Sequence, residues 1–429
     1  MNFFFKFLTS TLFLILIYII YRSEIYWDGS IRTYYFIYFI GILLAIFFSI
    51  ICTYLNVKTQ KYIIIIFIST IFSFYSFEGL LTYKNHKIKT NFKNHKMKTN
   101  LNFDTRSRNE VFEDLKKINL NIAITTPPSS FLKLDKLNFL NLGGISKAKT
   151  IFCNESGYYS IYQSDRYGFN NPDKEWDSKE IEYLLVGDSF THGACVNRPH
   201  DFASVLRKYS KKNVLNLGQE GNGPLIEYAT LREYLTPNVK NVLWLFYEGN
   251  DLGDLKSELE NKILNKYLTN QKFKQDLKFR QNQIDKDLTD FVERKRKRGG
   301  DIHNAKIVRF IKLSNIRASL HSPKPPPPPE LKIVLKLANE LVESYNQKLY
   351  FIYLPSFGRY TQLFKIDFKQ EVKNIVIDLG IEFIDIDEEV FKKEKNPLKL
   401  FPFEKQHNHY TVEGYKKIAL KIYEKSRQN

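Results

Sequence analysis

The chain has 429 residues, of which 26% are charged, and a formal net charge of +18; that length excludes one small domain. Very few of the charges stand in the first 83 positions, so the remainder carries nearly all of them and is long enough to bury one large core. The basic balance invites a nucleic-acid or anionic-membrane partner. However, Lys, Asn, Ile and Phe are abundant throughout, which is the composition of a lysine-rich proteome, and no nucleic acid is expected as a partner.

Three apolar runs open the chain: Phe7–Tyr21, Thr33–Leu55, and Tyr62–Tyr83, the last interrupted by Glu78. The second and third are long enough to cross a bilayer as helices, and so is the first if Phe3–Phe5 are included. A cleaved signal peptide accounts for the first run but not for the two that follow. The expectation is a three-helix membrane anchor over 1–83 with the lipid bilayer as a partner. Glu78, about a turn from the end of its run, is expected near the headgroups. Orientation draws opposite signals. The stretch KNHKIKTNFKNHKMK (84–98) favours a cytoplasmic domain by the positive-inside rule. With Cys52 inside a run, Cys153 and Cys195 suit one disulfide in an oxidising compartment, or stay as two buried thiols.

Residues 84–150 read as a basic tether followed by an unassigned segment broken by TTPPSS (125–130). From 151 the texture is α/β. Strands are expected at 182–187, 213–218, 241–251, 348–355 and 382–387. Helical spacing lies between and after them, at 201–210, 225–235, 330–347, 371–380 and 411–426. Strands alternating with helices over short loops imply a flavodoxin-like parallel sheet with helices on both faces, spanning 151–429. One charged, mostly helical insertion at about 253–330 interrupts it, with ERKRKRGG (293–300) and the stiff PKPPPPPE (323–330). It is expected over the carboxyl edge of the sheet as part of a lid.

In such a sheet the chemistry gathers at the carboxyl ends of the strands. Three ends carry suitable residues: Gly187-Asp188-Ser189, then NLGQEGNGP (216–224), then Gly249-Asn250-Asp251. A serine on a strand-to-helix turn is exposed near free N–H groups, which favour developing negative charge. Glycine backbone and an asparagine amide can complete an oxyanion site. Of eight histidines, His86 and His95 fall in the tether and His303 and His321 in the insertion. His192 and His200 follow the serine too closely. His409, in the loop before the last helix, can reach across the sheet edge and is the expected base.

These blocks together resemble the SGNH (GDSL-type) hydrolase superfamily. VGDSFTHG (186–193), NLGQEG (216–221), EGND (248–251) and HYTVEGY (409–415) stand in the family's order. SDRYGFNNPDKEW (164–176) is similar to the lead-in strand of its membrane-linked members. The resemblance implies Ser189 as nucleophile, His409 as base, and Gly221 (alternatively Gly218) with Asn250 as oxyanion donors. Asp188 and Asp251 would support their turns. It implies no cofactor and no metal. One departure stands out: where the family places an aspartate just before the histidine, this chain has Gln406 and His407. The substitutes are His407 as an orienter, or a carboxylate from Glu404, Asp385 or Asp387, or a Ser–His dyad held by a backbone carbonyl. The implied activity is a membrane-anchored O-acyl esterase acting on an envelope glycan or lipid. The alternatives are an O-acyltransferase on the same substrates or a non-catalytic glycan-binding scaffold. Weighed with the cysteine pair, the resemblance puts the catalytic domain on the periplasmic face of a bacterial inner membrane.

Overall fold

The computed structural model describes residues 2–26, 32–99, 104–118, 121–132, 138–297, 302–319, 326–361, 368–402 and 409–427. They form two compact units, Met1–Thr90 with His303–His321, and Asn91–Ile302 with Ser322–Asn429.

In the first unit, helices Asn2–Ile20 and Arg32–Tyr54 form an antiparallel hairpin. Thr9 and Ser49 share a 2.9 Å hydroxyl hydrogen bond, and Ser49 Oγ donates to the Phe5 carbonyl. Gln60, at the start of the 43-residue helix Val57–Thr99, donates to Asn2 Oδ1 and the Cys52 carbonyl. Polar groups thus sit between the helices while Phe47, Ile66, Phe72 and Leu80 face outward, the inverse of a water-soluble bundle. Among the described residues two helices, rather than the expected three, are long and apolar enough to cross a membrane: Asn2–Ile25 and Val57–Lys84. The described apolar stretch of the middle helix, Tyr38–Tyr54, is shorter; it rises about 25 Å against a hydrocarbon core of about 30 Å. The basic stretch after Tyr83 continues the third helix to Thr99.

The second unit holds two sheets. Strands β1 (Ile122–Ile124), β2 (Lys149–Ile151) and β3 (Ile161–Gln163) make a small one, β1 parallel and β3 antiparallel to β2. This sheet starts in the segment left unassigned from sequence and extends past 150 into the stretch read as α/β. The main sheet comprises β4 (Ile181–Gly187), β5 (Val214–Asn216), β6 (Val239–Tyr247), β7 (Lys348–Leu354) and β8 (Glu382–Asp385). All pairs are parallel in the order β5-β4-β6-β7-β8, the flavodoxin-like order expected from the alternation. The strands are nearly continuous apolar runs because helices cover both faces. Helices Pro224–Tyr234 and Pro329–Glu343 pack one face around Trp244 and Phe351. Helices Phe202–Ser210 and Val412–Ser426 pack the other around Leu243 and Ile352.

Two expectations change here. The stretch 164–176 is not a strand but a turn and a 3-10 helix. It is organised by buried Asp165, which accepts from the Tyr167 and Phe169 amides, Asn171 Nδ2 and Trp176 Nε1. The insertion is not a lid over the sheet edge. Leu264, Tyr267, Leu277, Ile284 and Leu288 join the core of the helical layer that includes Leu231 and Val334, so 262–297 thickens one face. Residues 303–321 belong to the first unit.

Candidate active site

The nucleophile turn follows from local sterics. β4 ends at Gly187, where a Cβ would stand 2.7 Å from the Leu245 carbonyl of β6, so only glycine lets the chain turn this close to its neighbour. Asp188 then caps the short helix Ser189–His192 by accepting from the Phe190 amide at 2.9 Å. The N–H of Ser189, first residue of that helix, has no intrahelical partner.

His409 arrives from the opposite end of the sheet. The next residue, Tyr410, is buried and donates its hydroxyl to the Pro355 carbonyl beyond β7. Thr411 caps the final helix. His409 packs on Phe190, ring centroids 4.7 Å apart, and its Nε2 lies 2.8 Å from Ser189 Oγ. The two groups singled out in the sequence, 220 residues apart, are in direct hydrogen-bond contact.

The acid comes from an element that sequence reasoning passed over. Glu155, in the loop between β2 and β3, places Oε1 3.0 Å from His409 Nδ1, while its Oε2 accepts from the His409 backbone N–H at 2.9 Å. The loop is closed by paired backbone bonds between Phe152–Cys153 and Ser160. A disulfide joins Cys153 to Cys195, six residues beyond the serine. This corrects the expected substitutes. Asp385 caps the Glu388 amide and pairs with Lys369; Asp387 is held by Tyr360, Lys369 and Arg359. Nor is the ring held by a backbone carbonyl. Glu404, Gln406 and His407 lie outside the described residues. A signal for Glu155 existed: once Cys153 is paired with Cys195, the carboxylate two residues further on is drawn to the nucleophile turn.

Burial opposes charge on His409. The hydrogen bond to Glu155 and the negative charges of Glu155, Asp188 and Glu220 outweigh it, and the imidazole is held above its ordinary value. Burial pushes Asp188 up to about 6, against the Phe190 amide and His409. His192 is not a competing base. It is fully buried against Phe152 and bonded to Tyr162 Oη at 2.8 Å, and burial drives it down to about 3.

Of the expected oxyanion donors, Gly221 has φ +71, a Cβ there would stand 2.6 Å from Ser129 Oγ, and its N–H donates to no group among the described residues. Gly218 does not offer a free N–H, because it donates to Asn216 Oδ1; a Cβ there would stand 2.6 Å from the His192 amide nitrogen. Asn250 is engaged, with Nδ2 donating to Asp254 Oδ2 at 2.6 Å. Asp251 supports the turn, its Oδ2 accepting from the Tyr247 amide. Burial raises Asp254 to about 7 and Glu258 to about 8. At rest, then, the Ser189 and Gly221 N–H groups donate to nothing among the described residues, while the Asn250 amide is held by Asp254.

Beside Gly221 opens a cleft of about 440 Å³ lined by Arg108, Thr125, Ser130, Glu220 and Phe291, among others. As a metal set, Glu155, Cys195 and His409 bring donor atoms within 4.8 Å of one another. The Cys195 sulfur is bound in the disulfide, and the other two are hydrogen-bonded together.

No protein-family model and no curated protein matches the chain. Among solved structures it is similar to a protein from Desulfitobacterium hafniense DCB-2 described as lipolytic and of the G-D-S-L family. The identity is 14% and the TM-score 0.32, over 57% of this chain and 99% of the other. A member of the lipolytic G-D-S-L family from Veillonella parvula DSM 2008 is 12% identical at TM-score 0.33, over 57% and 97%. An acetyl xylan esterase is 11% identical at TM-score 0.33, over 57% and 99%.

Proposed function

We propose that this chain is a membrane-anchored serine esterase that removes O-acyl groups from an envelope glycan or lipid. The observation that carries the reading is the relay Ser189 Oγ–His409 Nε2, His409 Nδ1–Glu155, with both links at 3.0 Å or less. His409 takes the proton of Ser189 as Oγ attacks the ester carbonyl, and Glu155 stabilises the imidazolium that forms. The N–H groups of Ser189 and Gly221, joined by Asn250, hold the oxyanion. As the tetrahedral adduct collapses, the Oγ–acyl bond stays, the alkoxide leaves with the proton from His409, and water then cleaves the acyl-enzyme by the same route. A sugar hydroxyl in place of water gives the transferase reading. A non-catalytic scaffold is disfavoured because the acid that its sequence blocks lack is supplied by Glu155. The cleft beside Gly221, with threonine, serine, arginine and phenylalanine walls, suits a polar, sugar-sized group. The disulfide supports an oxidising compartment and hence the outer face of the membrane.

The test is a fluorophosphonate probe on the full chain in detergent. Labelling of Ser189 that vanishes in His409→Ala is expected. A folded chain that takes no label would refute the enzyme reading. Comparing free acid release with acyl transfer to added sugar separates hydrolase from transferase.

A further inference from the structure

We infer that the segment 302–319, carried inside the catalytic domain's sequence, returns to the bilayer and lies in its interface with the third helix, so that lipid acyl chains are its partner. The inference rests on the anchor reading above.

Glu78 is the starting point, a carboxylate within an apolar helix and fully buried. Its Oε1 accepts from the Asn315 backbone N–H at 2.9 Å and from Asn315 Nδ2 at 2.8 Å; its Oε2 accepts from the Ile316 N–H at 2.9 Å. Asn315 Nδ2 also reaches Thr82 Oγ1, Tyr75 Oη donates to the Ile311 carbonyl, and the rings of Tyr75 and Phe310 lie 5.7 Å apart. A buried carboxylate is stable only when so satisfied. Glu78 is therefore the docking point of the inserted segment.

The contacts fix a depth. Tyr75, Glu78 and Thr82 fall in the last ten residues of the apolar stretch Val57–Lys84. At 1.5 Å per residue, Thr82, Glu78 and Tyr75 lie about 3, 9 and 13 Å inside its end, a range that straddles the boundary between headgroups and acyl chains. At this level helix Ile302–Ile311 exposes Ile307 (51%), Val308 (44%), Phe310 (36%) and Ile311 (58%). At about 100° per residue these four span an arc of about 160°, with Arg309 on the far side. That is the pattern of a helix lying in an interface. The exposed apolar arc belongs to a helix docked, through Tyr75, on a span whose Phe72, Phe74 and Phe77 are themselves exposed apolar residues, which points to lipid as its partner. The catalytic domain's chain is then tied to the bilayer at two points, through 84–99 and through 302–319.

The test uses the full chain with Cys52→Ala, spin-labelled at Val308→Cys and reconstituted in nanodiscs of phosphatidylethanolamine and phosphatidylglycerol. Collision with oxygen and with a nickel chelate reports depth. Ile66→Cys, exposed within the third helix, and Lys336→Cys, exposed on the catalytic domain, are the references. The expected result is that Val308 matches Ile66, oxygen-accessible and nickel-shielded, with the order reversed at Lys336. Val308 matching Lys336 while Ile66 stays in lipid overturns the inference and leaves the anchor standing. Nickel access at all three sites overturns both. Shielding of Val308 from both reagents means that protein covers it, a second copy included, and also overturns the inference.

Discussion

Replacing Glu155 by Gln removes one negative charge from beside His409 while keeping the side chain's size. In the native site the carboxylate touches His409 twice, at Nδ1 and at the backbone N–H, and is about one-fifth exposed. A charge pair about 4 Å apart at an effective dielectric of about 20 is worth about 4 kcal/mol. Lost from the imidazolium-like transition state alone, that is about a thousandfold in kcat. Gln can also turn its amide N–H toward Nδ1 and favour the wrong tautomer, which in a Ser-His-Asp triad costs about 10⁴-fold. The expected loss in Glu155→Gln is therefore about 10³- to 10⁴-fold in kcat with KM little changed, and Glu155→Asp recovers part of it. The assay is hydrolysis of p-nitrophenyl acetate as a function of pH. His409 must be neutral to accept the proton, so kcat/KM rises with pH through its pKa, which lies above the ordinary histidine value. Removing the anion lowers that pKa and moves the acid limb to lower pH. A Glu155→Gln enzyme within about fivefold of the parent, or one whose acid limb stays in place, would refute the triad as drawn.

Reducing the disulfide, or changing Cys153→Ser, frees the Glu155 loop from the nucleophile turn. The bridge spans 42 residues, so unfolding is expected to become easier by about 4 kcal/mol. By denaturant titration and kinetics, kcat should fall, but by less than in Glu155→Gln; unchanged kcat after complete reduction would show that the loop is held by other contacts. Asn250→Ala is expected to lower kcat by about 10²-fold, and an unchanged kcat would mean that the amide serves only Asp254. His192→Gln should lower the melting temperature and leave the acid limb of the pH profile where it is, because the buried ring is already neutral; a shifted limb would make it part of the titrating site.

Much of this protein is legible from its sequence. The central strands of the main sheet announce themselves as apolar runs, because a parallel strand is buried on both faces; the edge strand β8, Glu-Phe-Ile-Asp, does not. Ser189 and His409 stand out because their blocks follow strand ends in a recognisable order. The segment to about 150 was not assigned, and Glu155 falls just beyond it, in the stretch read only as α/β in texture. The strands there are three residues long, too short for alternation to register, and Glu155 lies in the loop between two of them. Of the three apolar runs, two form helices that are long and apolar enough to cross a membrane among the described residues.

What sequence alone determined is therefore the sheet and the positions of the candidate nucleophile Ser189 and candidate base His409, each marked by a local pattern that burial or a tight turn demands. Which carboxylate completes the relay, which glycine keeps a free N–H, and where the inserted segment docks were decided only by the tertiary structure. Glu155 lies 254 residues from His409 and Glu78 lies 237 from Asn315, and hydrogen bonds over such separations leave no period or spacing in the chain. They exist because the folded backbone brings a carboxylate to a buried donor that must be satisfied.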